Sequence, residues 1–207
     1  MNDTLKVLVA LASGYLLGSL NTAVIVERFY GKDIISHGSR SAGLTNTHRV
    51  LGRTAALLVL VGDVLKGIVA CLIGLRLGVY FYSGQTADCI SLLVAGAGAI
   101  LGHNWPIYFG FKGGKGALTG VAVLFMLNWV MALICVGFFI IIVTLTRYVS
   151  LGTVCATILF AAISFFPVFE NTFYFNVFAC LIASIVVFKH KENLQRLLSG
   201  TENTLTF

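Results

Sequence analysis

Gly102–Gly116, GHNWPIYFGFKGGKG, sets two lysines among closely spaced glycines directly after a hydrophobic run, in a chain that is otherwise mostly apolar. Glycine lets a backbone turn sharply and approach a ligand closely. Successive free N–H groups in such turns form anion-binding concavities. Lys112 and Lys115 would add point charges beside Gly113 and Gly114, so the stretch is expected to cradle a phosphate at a membrane surface.

The membrane follows from what surrounds the loop. Hydrophobic residues make up 58% of the 207 positions and charged residues 11%, against roughly 25% charge in an average globular protein. A soluble domain of this size cannot hide so much apolar surface, whereas lipid tails can cover it. The expected class is an all-α integral membrane protein forming one polytopic domain over the whole chain. The N-terminus carries Lys6 and then an apolar run, Val7 to Val26, and about 20 residues suffice to cross the bilayer. It reads as a first transmembrane helix and not as a cleavable signal peptide. Cys71, Cys89, Cys135, Cys155 and Cys180 lie scattered through apolar segments without metal-ligand spacing, as small packing residues.

Seven apolar segments are visible, at about Leu5–Val26, Thr54–Leu75, Ala87–Leu101, Ala117–Leu127, Val130–Leu145, Leu151–Phe166 and Phe173–Phe188. Residues 117–146 could instead form one helix and reduce the count to six, but Asn128-Trp129 reads as an interfacial turn. With seven spans, eleven of the fourteen lysines and arginines fall on one side: Arg28, Lys32, Arg40, Arg49, Arg53, Lys112, Lys115, Arg147, Lys189, Lys191 and Arg196. The positive-inside rule then puts the N-terminus outside and the C-terminus in the cytoplasm. Glycine pairs four apart (Gly14 and Gly18, Gly98 and Gly102, Gly116 and Gly120) would permit close helix contacts. Asp63 and Lys66, three apart in the second segment, share a helix face. Each would cost about 2.5–3.5 kcal/mol at a helix centre, so a mutual pair turned inward is expected as a structural tie.

Four polar patches, Gly31–Gly52, Gly102–Gly116, Thr146–Gly152 and Lys189–Asn203, all fall on the cytoplasmic side in this arrangement. Arginine and lysine suit phosphate, and Ser39, Thr45, Asn46 and Ser150 offer neutral hydrogen bonds. Acidic residues are few, chiefly Asp33, Glu192 and Glu202, which argues against a Mg²⁺ site and against paired-carboxylate catalysis. FKGGKG is not a Walker A loop, since Phe109 stands where the leading glycine belongs and Gly116 where Ser or Thr should follow the lysine. No Gly-x-Ser-x-Gly elbow surrounds Ser39. His37 and His48 read as loop hydrogen-bonders, and His103 as structural. His190 and Asn193 share one face if the tail is helical, where both could point at a ligand; the same tail could rest at the interface on Leu194, Leu197 and Leu198. No metal, cofactor or nucleic-acid partner is expected.

At these patches the chain resembles the bacterial acyl-phosphate-dependent glycerol-3-phosphate acyltransferases of the PlsY type. The resemblance rests on Gly18-Ser19, Gly31, Asp33-Ile34, His37-Gly38-Ser39, Gly43, Thr45-Asn46, Arg49, Asp63, Lys66-Gly67, nearly all of GHNWPIYFGFKGGKG, Ser150–Gly152 and the HKEN…RLLSGTEN tail. It implies seven helices, an inner-membrane location with the site on the cytoplasmic face, and acyl transfer from acyl-phosphate to the 1-hydroxyl of glycerol-3-phosphate. The products would be lysophosphatidate and phosphate, and membrane lipids would be partners. It further implies that Ser39, Arg49, Lys112 and His190 are catalytic and, with Asn193, face glycerol-3-phosphate. Thr45 and Ser150 would help hold the donor's phosphate, and Asn46, Gly113, Gly114 and Lys115 would bind substrate.

Departures from the family pattern cluster in the first patch: Asn21 for Pro, Ile35 for Arg, Arg40-Ser41 for Gly-Asn and Leu44 for Ala. A glycine lost from a tight turn bears on its backbone geometry, and Arg40 could restore the charge lost at position 35. The chemistry suits the inventory, because an acyl-phosphate is already activated and needs mainly positioning and charge neutralisation. No covalent acyl-enzyme is expected, and the substrate's own phosphate could take the proton. Two rival readings are a divergent, weakly active paralogue and a membrane transporter for an organic phosphate, which would want broken-helix features near the midplane.

Overall fold

The computed structural model describes residues 1–80 and 89–205. The described residues form ten α-helices and no strand: α1 (Asp3–Ser19), α2 (Thr22–Tyr30), α3 (Leu44–Leu51), α4 (Arg53–Leu77), α5 (Ile90–Asn104), α6 (Ala117–Leu127), α7 (Trp129–Thr146), α8 (Val149–Ser164), α9 (Phe173–Lys189) and α10 (Lys191–Leu198). Each of the seven apolar segments is helical over most of its length; Ala87 and the residue after it, at the head of the third, lie outside the described residues. Four stretches are long and apolar enough to cross a membrane: 3–30, α4, 90–109 and α7. The α9–α10 pair, bent by 57°, counts as a fifth when taken as one span, and α6 and α8 are shorter apolar helices. The expected turn at Asn128 is present, with Asn128 Oδ1 accepting from the Met131 N–H at 3.1 Å to cap α7.

The first apolar segment is not one helix. It breaks at Leu20-Asn21, where buried Asn21 caps α2 through Oδ1 and the Val24 N–H (3.3 Å). A helix-interrupting cap does here what a proline does by ring geometry. The break leaves the Leu20 carbonyl without a helical partner, and Lys66 Nζ donates to it at 3.2 Å. Lys66 also pairs with Asp63 Oδ1 at 2.9 Å and lies 2.9 Å from His103 Nδ1, all three side chains being buried. The inward tie expected from the sequence therefore joins three elements, α4, α5 and the α1–α2 break.

Small residues bring α1 and α5 into backbone contact. A Cβ on Gly14 or Gly18 would collide with the carbonyls of Ala95 or Ala99, and one on Gly98 or Gly102 with those of Leu11 or Tyr15. Both glycine pairs thus interlock, in the small-xxx-small manner. In the third pair Gly116 lies close to the Asn104 and Ile100 side chains, but Gly120 has only the tip of Ile100 near it, at 3.9 Å, and neither meets a backbone. Matched pairs along the helices give their directions. Gly14 lies on Ala95 and Gly18 on Ala99, making α1 and α5 parallel; Asp63 meets His103 and Gly74 meets Ser91, making α4 and α5 antiparallel. The main apolar core gathers Leu92, Ile100, Val123, Met131, Phe160 and Phe175 from α5 through α9.

Candidate active site

A cavity of ≈ 390 Å³ opens where α3, α6, α8 and α10 converge and runs between α6, α7, α8 and α9. Its mouth is polar and carries Ser39, Thr45, Asn46, Arg49, Lys115, Ser150, His190 and Asn193, brought together from all four patches. Its interior is mostly apolar, with Asp63, His103, Thr153 and Thr157 also in the wall. Of the residues expected at a site, Lys112, Gly113 and Gly114 are the ones that do not line it.

The glycine-rich loop explains the difference. A Cβ on Gly113 would strike the His103 carbonyl, and one on Gly114 the His103 ring. The Gly114 N–H is already donated to the His103 carbonyl at 3.0 Å. These glycines let the loop lie flat on the end of α5, and their backbone does not face the cavity. Lys112 is exposed at the outer turn, while Lys115, half-buried and two residues before α6, reaches in and donates to Asn193 Oδ1 at 2.6 Å. Burial pushes the Lys115 ammonium down to about 8, with the Glu202 carboxylate pulling the other way and Arg196 adding to the fall.

Asn46 is the centre of the first patch. Its Nδ2 donates to the carbonyls of Ile34 (2.8 Å), His37 (3.1 Å) and Ser41 (3.1 Å), and its Oδ1 accepts from the Ser39 N–H at 2.8 Å. Those bonds fold residues 34–41 over α3 and place Ser39 and Arg49 at the mouth, so Asn46 shapes the pocket wall. Arg40, standing where the family pattern has glycine, is held at φ 53. The left-handed turn is kept without a glycine, at a cost of about 1 kcal/mol. Arg40 does not line the cavity, whereas Ser41 and Leu44, two other departures, do.

At the opposite wall the chain doubles back. Glu202 Oε1 accepts from Ser150 Oγ (2.9 Å) and Asn193 Nδ2 (2.6 Å), and Oε2 from Arg196 Nε (2.8 Å). Burial raises the Glu202 carboxyl, but the bonds from Asn193, Arg196 and Ser150 together hold it below its ordinary value. The Leu205 N–H donates to the Arg147 carbonyl at 2.8 Å, strapping the tail across the α7–α8 turn. The sequence shows Glu202 only as one of the few acids in a basic patch and gives it no role at the site. His190, at the α9–α10 bend, has Nδ1 2.8 Å from the Val186 carbonyl. A carbonyl only accepts, so Nδ1 carries the proton, and neutral His190 keeps Nε2 as an acceptor.

A mouth with cationic and hydroxyl groups joined to an apolar pocket fits an amphiphile with an anionic head. The comparisons with known proteins agree. The sequence model of the glycerol-3-phosphate acyltransferase family matches residues 8–200. A glycerol-3-phosphate acyltransferase of Shouchella clausii is 42% identical over 196 residues, covering 93% of this chain and 92% of that one. One of Thermoanaerobacter pseudethanolicus is 38% identical over 192 residues, covering 92% and 91%. The crystal structure of PlsY (YgiH), an integral membrane glycerol 3-phosphate acyltransferase, in its glycerol 3-phosphate form, superposes with a TM-score of 0.86 at 33% identity, covering 97% of this chain and 96% of that one. Its lysophosphatidic acid form gives a TM-score of 0.83. With four patches meeting at one mouth and both kinds of likeness spanning nearly the whole length, the chain belongs to the glycerol-3-phosphate acyltransferase family.

Proposed function

We propose that this chain transfers a fatty acyl group from acyl-phosphate to the 1-hydroxyl of glycerol-3-phosphate, releasing lysophosphatidate and inorganic phosphate. It works as one polytopic unit of the bacterial inner membrane, with the site on the cytoplasmic face. The observation that carries this is the shape of the cavity, a basic polar mouth continuous with an apolar pocket. Seven alternating crossings are supported by helix direction. That arrangement requires α1 parallel to α5 and α4 antiparallel to α5, the directions their contacts have.

In this reading Arg49, Lys115, His190 and Asn193 grip glycerol-3-phosphate beside Ser39, while Thr45 and Ser150 flank the donor's phosphate. The glycerol oxygen attacks the acyl carbonyl carbon, the bond from that carbon to the bridging phosphate oxygen breaks, and phosphate departs. Glu202 is committed to three donors, and in this reading the hydroxyl proton passes to a phosphate oxygen of the substrates. The cations neutralise charge that develops on the carbonyl oxygen and leaving group. Purified protein given glycerol-3-phosphate with acyl-phosphate, acyl-CoA or acyl-carrier protein in parallel should turn over the first donor alone. Activity with acyl-CoA but not acyl-phosphate would overturn the donor assignment, and liposome uptake of labelled glycerol-3-phosphate without acylation would favour a transporter.

A further inference from the structure

Below the polar mouth the cavity is mostly apolar, and the residues lining it end on an identifiable layer. On α8 the lining face descends through Thr153, Ala156 and Thr157 to Phe160; on α9 it descends from His190 through Val186 and Ile182 to Phe178. Both stripes stop at an aromatic ring. Phe175, fully buried, stands behind them, edge-on to Phe160 (centroids 6.1 Å apart, 80°) and tilted against Phe178 (6.3 Å, 48°). Leu127 and Cys135 close the same level from the α6–α7 hairpin, while the next buried residues down, Met131 and Ile163, belong to the core and not to the cavity wall. Nearer the mouth, Leu118, Val121 and Phe139 line the cavity and are partly exposed. A chain that enters at the mouth therefore meets buried rings, Phe160 and Phe178, at its far end.

We propose that Phe160, braced by Phe175, is the floor of an acyl ruler that sets the longest fatty chain this protein transfers efficiently. The inference rests on the acyltransferase reading given above. Ser150 to Phe160 is ten residues along α8, about 15 Å at 1.5 Å per residue, and His190 to Phe178 is twelve residues along α9, about 18 Å. A fully extended chain advances roughly 1.2 Å per bond, as an extended backbone does over its three bonds per residue. The pocket thus accommodates a straight acyl chain of about 13 to 16 carbons. Up to that length each added methylene gains contact, worth up to about fourfold in kcat/KM. Beyond it the chain must fold back or stay outside, and the gain ends.

The test measures initial rates with saturating glycerol-3-phosphate for acyl-phosphates of even length from roughly 10 to 20 carbons, the range that brackets this estimate. Wild type should rise to a break near 14–16 carbons (~15–18 Å of helix rise) and fall beyond it. Phe160→Ala should move the break about four carbons longer, the reach of the deleted ring. Ala156→Leu, one turn nearer the mouth, should move it about four carbons shorter, since a turn rises about 5.4 Å. Size-exclusion profiles identify a Phe160→Ala protein that has not folded, and Ala156→Leu then carries the decision alone. A break at the same length in wild type and Ala156→Leu, or a profile flat with chain length, would overturn the ruler while leaving acyl transfer standing. Wild type inactive on every acyl-phosphate would overturn the acyl-transfer reading, and the ruler with it.

Discussion

Two lysines three positions apart in one motif differ in what surrounds them, and that difference makes different predictions for each. Lys115 reaches the cavity and Asn193, whereas Lys112 stands exposed outside the lining. Lys115→Ala should lower kcat/KM for glycerol-3-phosphate by about 10²–10³, the cost of removing one preorganised charge-stabilising group. Lys112→Ala should stay within a few-fold of wild type; the reverse order, measured by steady-state kinetics, would exchange their roles. The pH dependence follows with a definite sign. Lys115 loses its proton near pH 8 in the free protein, so KM for glycerol-3-phosphate should climb above that pH. Folding stability rises over the same range, because between about pH 8 and its ordinary value the unfolded chain binds the proton that the folded chain has released. A pH series of KM and of thermal midpoints, compared with Lys115→Met, separates the two effects. At Arg40, relieving the left-handed backbone with Arg40→Gly should raise unfolding stability by about 1 kcal/mol, read by denaturant or thermal melts.

Among the helices, the α1–α5 seam and the Lys66 junction are where packing leaves least room. Lys66 satisfies Asp63 and the Leu20 carbonyl and lies beside His103. Lys66→Met strands a buried carboxylate and a carbonyl together, and should cost about 3–5 kcal/mol, seen as a lowered thermal midpoint in detergent. These two features also show what the sequence could and could not reveal. Glycine pairs at 14/18 and 98/102 and the three-residue spacing of Asp63 and Lys66 are local patterns, readable because helical periodicity puts them on one face. The partner of Lys66 at Leu20 is 46 residues away, and no local period encodes it. Asn46 stands out in the sequence as a motif residue, yet its service to the backbone of residues 34–41 depends on a fold-back that spacing does not announce. Glu202 is the strongest case. Its three donors come from α8 and α10, and only the assembled chain shows why one acid sits among bases. Gly113 and Gly114 suit a phosphate cradle by residue type alone; their close approach to His103, another demand for glycine at both positions, is visible only in the folded chain.

At the level of the whole molecule the remaining question is how the helices sit in the bilayer, and the charge distribution makes a sharp statement about it. Eleven of fourteen basic side chains fall on one side if the seven apolar helices alternate in direction, and the mouth of the cavity opens on that side. Two exposed positions bracket α9: Glu170, in the turn after α8, and Ser199, just beyond α10. In a variant with the five cysteines replaced, Glu170→Cys should react with a membrane-impermeant maleimide in right-side-out vesicles and Ser199→Cys only in inverted ones. Labelling of both from one side would mean that α9 with its bend does not cross, and the seven-span arrangement would fail. Labelling from the exchanged sides would keep seven crossings and turn the molecule over, moving the basic mouth away from the cytoplasm, where glycerol-3-phosphate would have to reach it. The bend of 57° between α9 and α10 gives this test its weight, because His190 and Asn193 lie on either side of that bend and both line the cavity. The same crossing that fixes the topology therefore fixes which compartment supplies the acceptor.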